Sequence, residues 1–140
     1  MEATLSTNTV APVRASRRAF GVGIALSGFA VLFLAFDTVI KLIRIQPVVD
    51  SFTQLGYPVS LARGIGALEL ACLAVYLIPR SAVLGAVLLT GFLGGAISTH
   101  LRVGDPLLSH TLFPIYVAVM LWGGLFLRDA RARALIAPRS

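Results

Sequence analysis

The sequence predicts an all-α protein, a four-helix transmembrane bundle, and its composition and apolar pattern carry that prediction. The 140-residue chain is 57% hydrophobic and 13% charged, whereas soluble domains have about 25% charged residues. Its apolar residues form four continuous runs instead of alternating with polar ones, which favours membrane-spanning helices over barrel strands. Each run approaches the ~20 residues that a helix needs to cross about 30 Å of hydrocarbon.

The predicted organisation is a tail, a membrane domain and a second tail. Residues 1–18 are polar and end in arginines, and residues 129–140 are basic, so both are predicted to be cytoplasmic tails, the first of them flexible. The membrane domain covers residues 19–128, with spans predicted at about 19–43, 60–78, 82–100 and 110–127. A basic segment before an apolar run also resembles a signal peptide, but this run is longer than a signal core, which favours a retained first span.

The segments between the spans predict different connections. Only residues 79–81 separate the second span from the third, which predicts a tight antiparallel hairpin. After the first span, Pro47 is suited to open a short helix and Gly56 to end it. The apolar face of that helix would consist of Val48, Val49, Phe52 and Leu55. Such a helix is predicted to lie flat at the membrane surface and to cover what lies beneath it.

The distribution of basic residues predicts that both termini are cytoplasmic. One side of the predicted membrane collects eight Lys and Arg residues: Arg14, Arg17, Arg18, Arg80, Arg128, Arg131, Arg133 and Arg139. The other side collects four: Lys41, Arg44, Arg63 and Arg102. Because cytoplasmic loops are enriched in Lys and Arg, the richer side is predicted to face the cytoplasm. The net charge of +6 lies at span ends and not on one face, which indicates anionic lipid and no nucleic-acid partner.

Small residues predict where the spans pack together. Close packing in a membrane depends on small side chains, because lipid gives no hydrophobic drive between helices. The third span carries Gly91, Gly94 and Gly95 within one turn, with Gly85 nearby. These glycines are predicted to form a smooth face against the backbone of a neighbouring helix.

Ionisable residues inside the apolar runs give the strongest functional signal. Glu69 lies near the middle of the second span, where a charge costs at least ~2.5–3.5 kcal/mol and normally faces the bundle interior. Asp37 and Lys41, four residues apart on the first span, are placed to pair. With the N-terminus inside, these residues fall in the outer half of the bundle together with His100 and Arg102. They are the candidates for substrate binding or proton handling in an outward-facing pocket, with Lys41 at its rim and Glu69 at its floor.

Four residues form a second tier of candidates: Asp105, His110, Tyr116 and Trp122. Asp105 and His110 follow the third span in its loop, whereas Tyr116 and Trp122 lie deep enough to be either core packing or a pocket wall. His100 and His110 lack the tight spacing of metal ligands, so no metal site is predicted, and both also fit the role of polar caps at the interface.

Several short motifs stand in order along the chain: Lys41-Leu42, Gly56-Tyr57-Pro58, Glu69-Leu70, Gly94-Gly95-Ala96 and His100-Leu101-Arg102. This arrangement resembles the DoxX-like family of small four-helix membrane proteins, from about Phe20 to Arg128. The resemblance implies a protein of the bacterial inner membrane. The family takes its name from a membrane subunit of a thiosulfate:quinone oxidoreductase, although most members have no assigned reaction. Quinone contact is expected instead because a lipophilic redox molecule needs an apolar pocket with a proton-handling group. A related thiol-oxidising fold needs paired cysteines, and this chain has Cys72 alone.

Three functional hypotheses follow. In the first, the protein is a membrane subunit that binds a quinone or other lipophilic small molecule in the outward-facing pocket. No cofactor is evident in the chain itself, so a redox partner protein would supply electrons. In the second, the protein has a structural or assembly role, and the polar cluster only staples the bundle. A third, proton-coupled transport, would require a homo-oligomer, because the chain has no inverted repeat or broken-helix signature.

Overall fold

The computed structural model describes residues 16–135, and all regular structure within that range is helical, as predicted. The α-helices of this range are α1 (Arg17–Ile43), α2 (Gln46–Gln54), α3 (Leu61–Leu77), α4 (Ala82–Val103), α5 (Phe113–Arg128) and α6 (Ala130–Ala134). A π-helical turn, Leu107–Thr111, comes just before α5. Parts of both predicted tails are therefore helical, namely the start of α1 and all of α6. Residues 1–15 and 136–140 lie outside the described residues.

Three helical segments among the described residues are long and apolar enough to cross a membrane: Arg17–Ile43, Ala82–Val103 and Leu107–Arg128. The last of these joins the π-helical turn to α5. The helix at the predicted second span, α3, is shorter, with 17 residues. At 1.5 Å per residue, α3 is about 26 Å long, a little less than the ~30 Å of a hydrocarbon core.

The connections between helices follow from residues that interrupt helical geometry. Arg44 adopts a left-handed conformation with φ 53° and ends α1, and its backbone N–H donates to the carbonyl of Ile40. Pro47 lies in the first turn of α2, so the short helix predicted after the first span is present. Gly104 ends α4 with φ 73°, a conformation that glycine adopts without a steric cost.

The long helices pack around one core. α1 packs against α5 and α3, and α4 packs against the same two helices. Leu34 of α1, Leu73 of α3, Leu89 of α4 and Leu121 of α5 are buried at the centre. The outward faces carry exposed apolar side chains, among them Leu32, 72% exposed. A helix that is apolar on its outer face as well as its inner face is suited to lipid rather than water.

Close approach between helices depends on glycines, but not on most of those predicted. A Cβ added at Gly91, Gly94 or Gly95 would meet no atom within 4 Å, so the smooth face predicted there is wrong within the described chain. Gly85 does allow close contact, because a Cβ at this position would overlap the backbone of Tyr76 on α3. At the α1–α5 contact, a Cβ on Gly23 would lie 2.9 Å from the carbonyl oxygen of Gly124.

Replacement of Gly85 by Ala is expected to destabilise the protein by about 1–3 kcal/mol, because the added methyl group forces α3 and α4 apart. Gly94→Ala on the same helix is the matched control, since its methyl group meets no neighbour. That control is expected to be neutral or stabilising by up to about 1 kcal/mol, from helix propensity. Thermal unfolding in detergent compares the two variants. Equal stability would show that α3 and α4 do not pack as described.

Candidate functional site

Lys41 is the centre of an ionic cluster between α1 and α3. Its Nζ donates to Asp37 Oδ2 one turn earlier on α1, and to Glu69 Oε2 on α3 at 2.8 Å. Gly66, one turn before Glu69, allows the two helices to approach, because a Cβ there would lie 3.0 Å from Lys41 Cβ. The three ionisable residues that the sequence singles out on these helices therefore form one connected group, the Lys41 cluster.

The three side chains of the Lys41 cluster are buried to different extents. The Glu69 side chain is fully buried, whereas those of Lys41 and Asp37 are 15% and 29% exposed. The aromatic ring of Phe92 on α4 lies 5.2 Å from Lys41 Nζ, which adds a cation–π contact to the ammonium group. Because a buried charge without a partner is strongly unfavourable, the ion pair with Lys41 is what allows the Glu69 carboxylate to remain inside the bundle.

The two oxygens of Glu69 have different surroundings. Oε2 accepts from Lys41, but Oε1 has no hydrogen-bond partner among the described residues. The hydroxyl of Thr38, which is also buried, likewise has no partner there. A buried polar atom without a partner costs free energy, and such atoms are rare enough in proteins to call for an explanation. Among the described residues, Oε1 is therefore a buried acceptor with capacity for a further hydrogen bond.

A cavity of about 790 Å³ lies beside the Lys41 cluster. Asp37 and Lys41 form part of its wall, and His100 and His110 form another part. Most of the remaining wall is apolar, and includes Phe33, Ile65, Leu68, Phe92, Leu93 and Phe113. A largely apolar cavity of this size with a few polar groups is typical of small-molecule sites.

Glu69 is not part of the cavity wall, which differs from its predicted position at the floor. Its side chain lies behind Lys41, fully buried between the helices. The reason is the length of the lysine side chain, which extends from α1 across to α3 and covers the carboxylate. Glu69 therefore contacts Lys41 and not the cavity, and Lys41 is the member of the pair that lines it.

The short helix α2 covers one side of the cavity. Pro47, Val48, Phe52 and Leu55 all line the cavity, and Val48 and Phe52 are buried. These residues include most of the apolar face predicted for this segment, although Val49 is not among the lining residues. The helix buries its apolar side against the bundle and exposes polar residues such as Asp50 and Gln54. Its amphipathic pattern is thus explained by the cavity beneath it.

Arg102 does not line the cavity, but it binds the end of α2, the helix that covers the cavity. Its guanidinium Nη2 donates to the carbonyl oxygen of Leu55 at the end of α2, and lies over the ring of Tyr57 at 5.5 Å. The Thr99 hydroxyl donates to the Gly95 carbonyl, so the Tyr57 hydroxyl donates to Thr99 Oγ1, at 3.2 Å. These contacts connect the end of α2 to α4.

A second polar group lies at the end of α4. His100 Nδ1–H donates to Asp105 Oδ2 at 2.6 Å, and the ring of His110 lies edge-on to that of His100 with centroids 6.0 Å apart. Because an ionised carboxylate only accepts, Asp105 fixes the proton of His100 on Nδ1 and leaves Nε2 for a ligand. The described residues contain no group of three or more His, Cys, Asp or Glu arranged to hold a metal ion.

Tyr116 and Trp122 lie away from this site. Neither residue lines the cavity, so neither forms the pocket wall that was one of the two roles predicted for it. Trp122 Nε1 donates to Thr90 Oγ1 at 2.9 Å and its ring stacks on Phe126, which connects α5 to α4. Tyr116 is 46% exposed on the outer surface of α5.

Two glycines of α4 belong to the cavity wall and not to the packing face that the sequence predicts. Gly91 and Gly95 line the cavity, and a Cβ at either position would enter open space. Their missing side chains leave room in the bundle instead of bringing helices together. The four-residue spacing from Gly95 to Thr99 is the sequence feature that indicates their shared position, because it places both residues on one face of α4.

A comparison with family models identifies the family of the chain. A model of the DoxX-like family matches residues 25–124. The chain belongs to the DoxX-like family. The match covers most of α1 and α5, all of α2, α3 and α4, and every residue of the Lys41 cluster. No match was found among curated proteins or among solved structures. Family membership and the long apolar helices together identify this DoxX-like protein as a membrane protein.

Lys41→Met is expected to destabilise this DoxX-like protein by about 3–5 kcal/mol, because it leaves the Glu69 carboxylate buried without its partner. The double variant Lys41→Met/Glu69→Leu removes both charges and is expected to recover most of that loss. Unfolding in detergent measures the free energies, and a double-mutant cycle gives the coupling between the two residues. A double variant as unstable as the sum of the single variants would contradict the ion pair.

Proposed function

We propose that this DoxX-like protein spans the bacterial inner membrane four times and binds a lipophilic small molecule, with a quinone as the favoured class, in the cavity beneath α2. The observation that carries the proposal is an apolar cavity of about 790 Å³ with Lys41 and a pair of histidines on its wall. Apolar walls suit a lipophilic body or tail, and the few polar groups suit a head group that accepts hydrogen bonds.

Lys41 has the donor capacity that a quinone carbonyl requires. An ammonium group has three N–H donors, and Asp37 and Glu69 accept two of them. The third remains for a ligand in the cavity. The second carbonyl of a quinone is a suitable acceptor for His110, which lies on the same wall and carries its proton on Nε2 when Ser109 Oγ donates to Nδ1. Asp37 and Glu69 then hold the ammonium group in place for the ligand.

The chemistry of a quinone also explains an ionisable cluster beside an apolar cavity. Reduction of a quinone to a quinol takes up two electrons and two protons. In this proposal the electrons come from a redox partner protein, and Lys41 and His100 exchange protons with the ligand oxygens. Glu69 Oε2 accepts directly from Nζ, so its negative charge would stabilise the ammonium form of Lys41 beside the ligand.

The proposed topology has α1, α3, α4 and α5 as spans, with both termini in the cytoplasm. Its support is the basic end of the bundle, where Arg17, Arg18, Arg80, Arg128 and Arg131 lie at helix ends and in the α3–α4 connection. The excess of arginine on that side agrees with the positive-inside rule. In this orientation the cavity and α2 face away from the cytoplasm.

Single cysteines introduced into a Cys72→Ala background test the topology, since Cys72 is the only cysteine. Thr53→Cys and Gln54→Cys are expected to react with a membrane-impermeant maleimide on intact spheroplasts. Ser16→Cys and Ala130→Cys are expected to react only after lysis. All four positions belong to exposed residues, so differences in labelling report sidedness. Labelling of Ala130→Cys without lysis would contradict four spans with both termini inside.

Gly95→Leu is expected to weaken binding of decylubiquinone by about tenfold or more, because its side chain enters the cavity. Gly94→Leu is the matched control on the adjacent residue, which does not line the cavity and has open space around it. Its affinity is expected to stay close to that of the wild type. Calorimetric titration in detergent measures both affinities, and thermal unfolding confirms that both variants are folded.

Equal affinity of the Gly95→Leu variant and the wild type would contradict binding in this cavity. Mass spectrometry of lipophilic molecules that co-purify with the wild type, and not with Gly95→Leu, identifies the ligand if it is not a quinone. The same pair of variants also distinguishes ligand binding in the cavity from a purely structural role of the Lys41 cluster.

The alternative function is structural: the Lys41 cluster holds α1 and α3 together and binds no ligand. The position of Glu69, buried behind Lys41 and outside the cavity wall, favours this alternative. A purely structural cluster does not need an empty cavity, so Gly95→Leu would then be as functional as the wild type. Only replacement of the charged residues would impair the protein, through its stability.

A further inference from the structure

A second cavity, of about 560 Å³, lies at the opposite end of the bundle and is called here the arginine pocket. It is formed where the start of α1, the α3–α4 connection and the end of α5 meet. Its lining residues are Phe20, Ile24, Pro79, Arg80, Ala82, Arg128, Asp129 and Arg131. None of them takes part in the Lys41 cluster or the proposed quinone site.

The charges of the arginine pocket favour an anion. Its three guanidinium groups outnumber its single carboxylate, Asp129. That carboxylate is already engaged, because Asp129 Oδ1 accepts from the backbone N–H of Arg131 at 2.8 Å and caps α6. Arginine is the residue best suited to phosphate, since its planar group donates two parallel hydrogen bonds.

One of the three arginines is held in place by buried partners. Arg128 Nε donates to Ser27 Oγ at 3.2 Å, and the guanidinium lies over the ring of Tyr76 at 5.4 Å. Ser27 and Tyr76 are both buried. The orientation of Arg128 is therefore set by the core, and its Nη groups remain as donors toward the pocket. A preorganised guanidinium loses less entropy on binding an anion than a free surface arginine.

The other wall of the pocket is apolar and exposed. Phe20 and Ile24 lie one turn apart on α1, and their side chains are 48% and 52% exposed. A cationic group beside an exposed apolar helix face matches a phospholipid, whose phosphate binds arginine while its acyl chains follow the helix. Basic pockets at the ends of membrane helices are known sites for anionic head groups.

We propose that the arginine pocket binds a phosphate group carried by an anionic membrane lipid. The purified full-length protein in neutral detergent tests this, with dioleoylphosphatidylglycerol, dioleoylphosphatidylcholine and inorganic phosphate as probes in native mass spectrometry. Phosphatidylglycerol is expected to bind more tightly than phosphatidylcholine, whose positive choline group disfavours an arginine-rich pocket. Arg80→Gln/Arg131→Gln is expected to weaken phosphatidylglycerol binding by about tenfold or more.

The variants are chosen to separate binding from folding. Arg80→Gln/Arg131→Gln leaves intact the contacts of Arg128 with Ser27 and Tyr76, on which packing depends. Arg18→Gln is the matched control, since Arg18 is exposed at the same end of the bundle and does not line the pocket. Its affinity for phosphatidylglycerol is expected to stay within about twofold of the wild type.

The outcomes distinguish the source of the phosphate. Competition by inorganic phosphate would support a pocket in which the phosphate group supplies most of the affinity. Resistance to it would support a pocket that also needs the acyl chains. Unchanged phosphatidylglycerol binding by Arg80→Gln/Arg131→Gln, or an equal loss in Arg18→Gln, would overturn the proposal. Arginine-dependent binding of inorganic phosphate without binding of the lipid would overturn the lipid assignment.

Discussion

The fully buried carboxylate of Glu69 is the constraint on which the rest of the site depends. A charge between apolar helices requires an opposite charge at hydrogen-bonding distance, and Lys41 supplies it from α1. The pair requires α1 and α3 to approach closely, which Gly66 permits. Asp37 holds the same ammonium group from one turn away. As a result, Lys41 is held at one position on the cavity wall by two acceptors.

The cavity exists because the centre of the bundle and the region near the end of α4 are packed differently. At the centre, Leu34, Leu89 and Leu121 are buried and fill the space between helices. Toward the end of α4, Gly91 and Gly95 leave that space empty, and α2 covers it. Protein interiors are otherwise packed about as densely as organic crystals, so a volume of this size between helices is a distinct feature of this end of the bundle.

Local patterns predicted the helices well and the contacts between them less well. The apolar runs located the long helices, and Pro47 and Gly56 located α2. The Asp37–Lys41 ion pair follows from a four-residue spacing within one helix, so it can be predicted directly from the sequence. Lys41–Glu69 is different, because helices that are apolar all round do not show which face meets which neighbour. The role of the α4 glycines is hard to predict for the same reason, because a glycine permits either a close helix contact or an open space.

Gly91 and Gly95 have one more consequence, because they are exposed as well as part of the cavity wall. Because neither residue has a side chain, only the backbone of α4 forms the wall at these two positions. Under the proposed function, a ligand that enters at these positions would come from the membrane phase, where lipophilic molecules are concentrated by partitioning. Selectivity would then depend on solubility in the bilayer as much as on contacts, and a site of modest intrinsic affinity would be sufficient for occupancy.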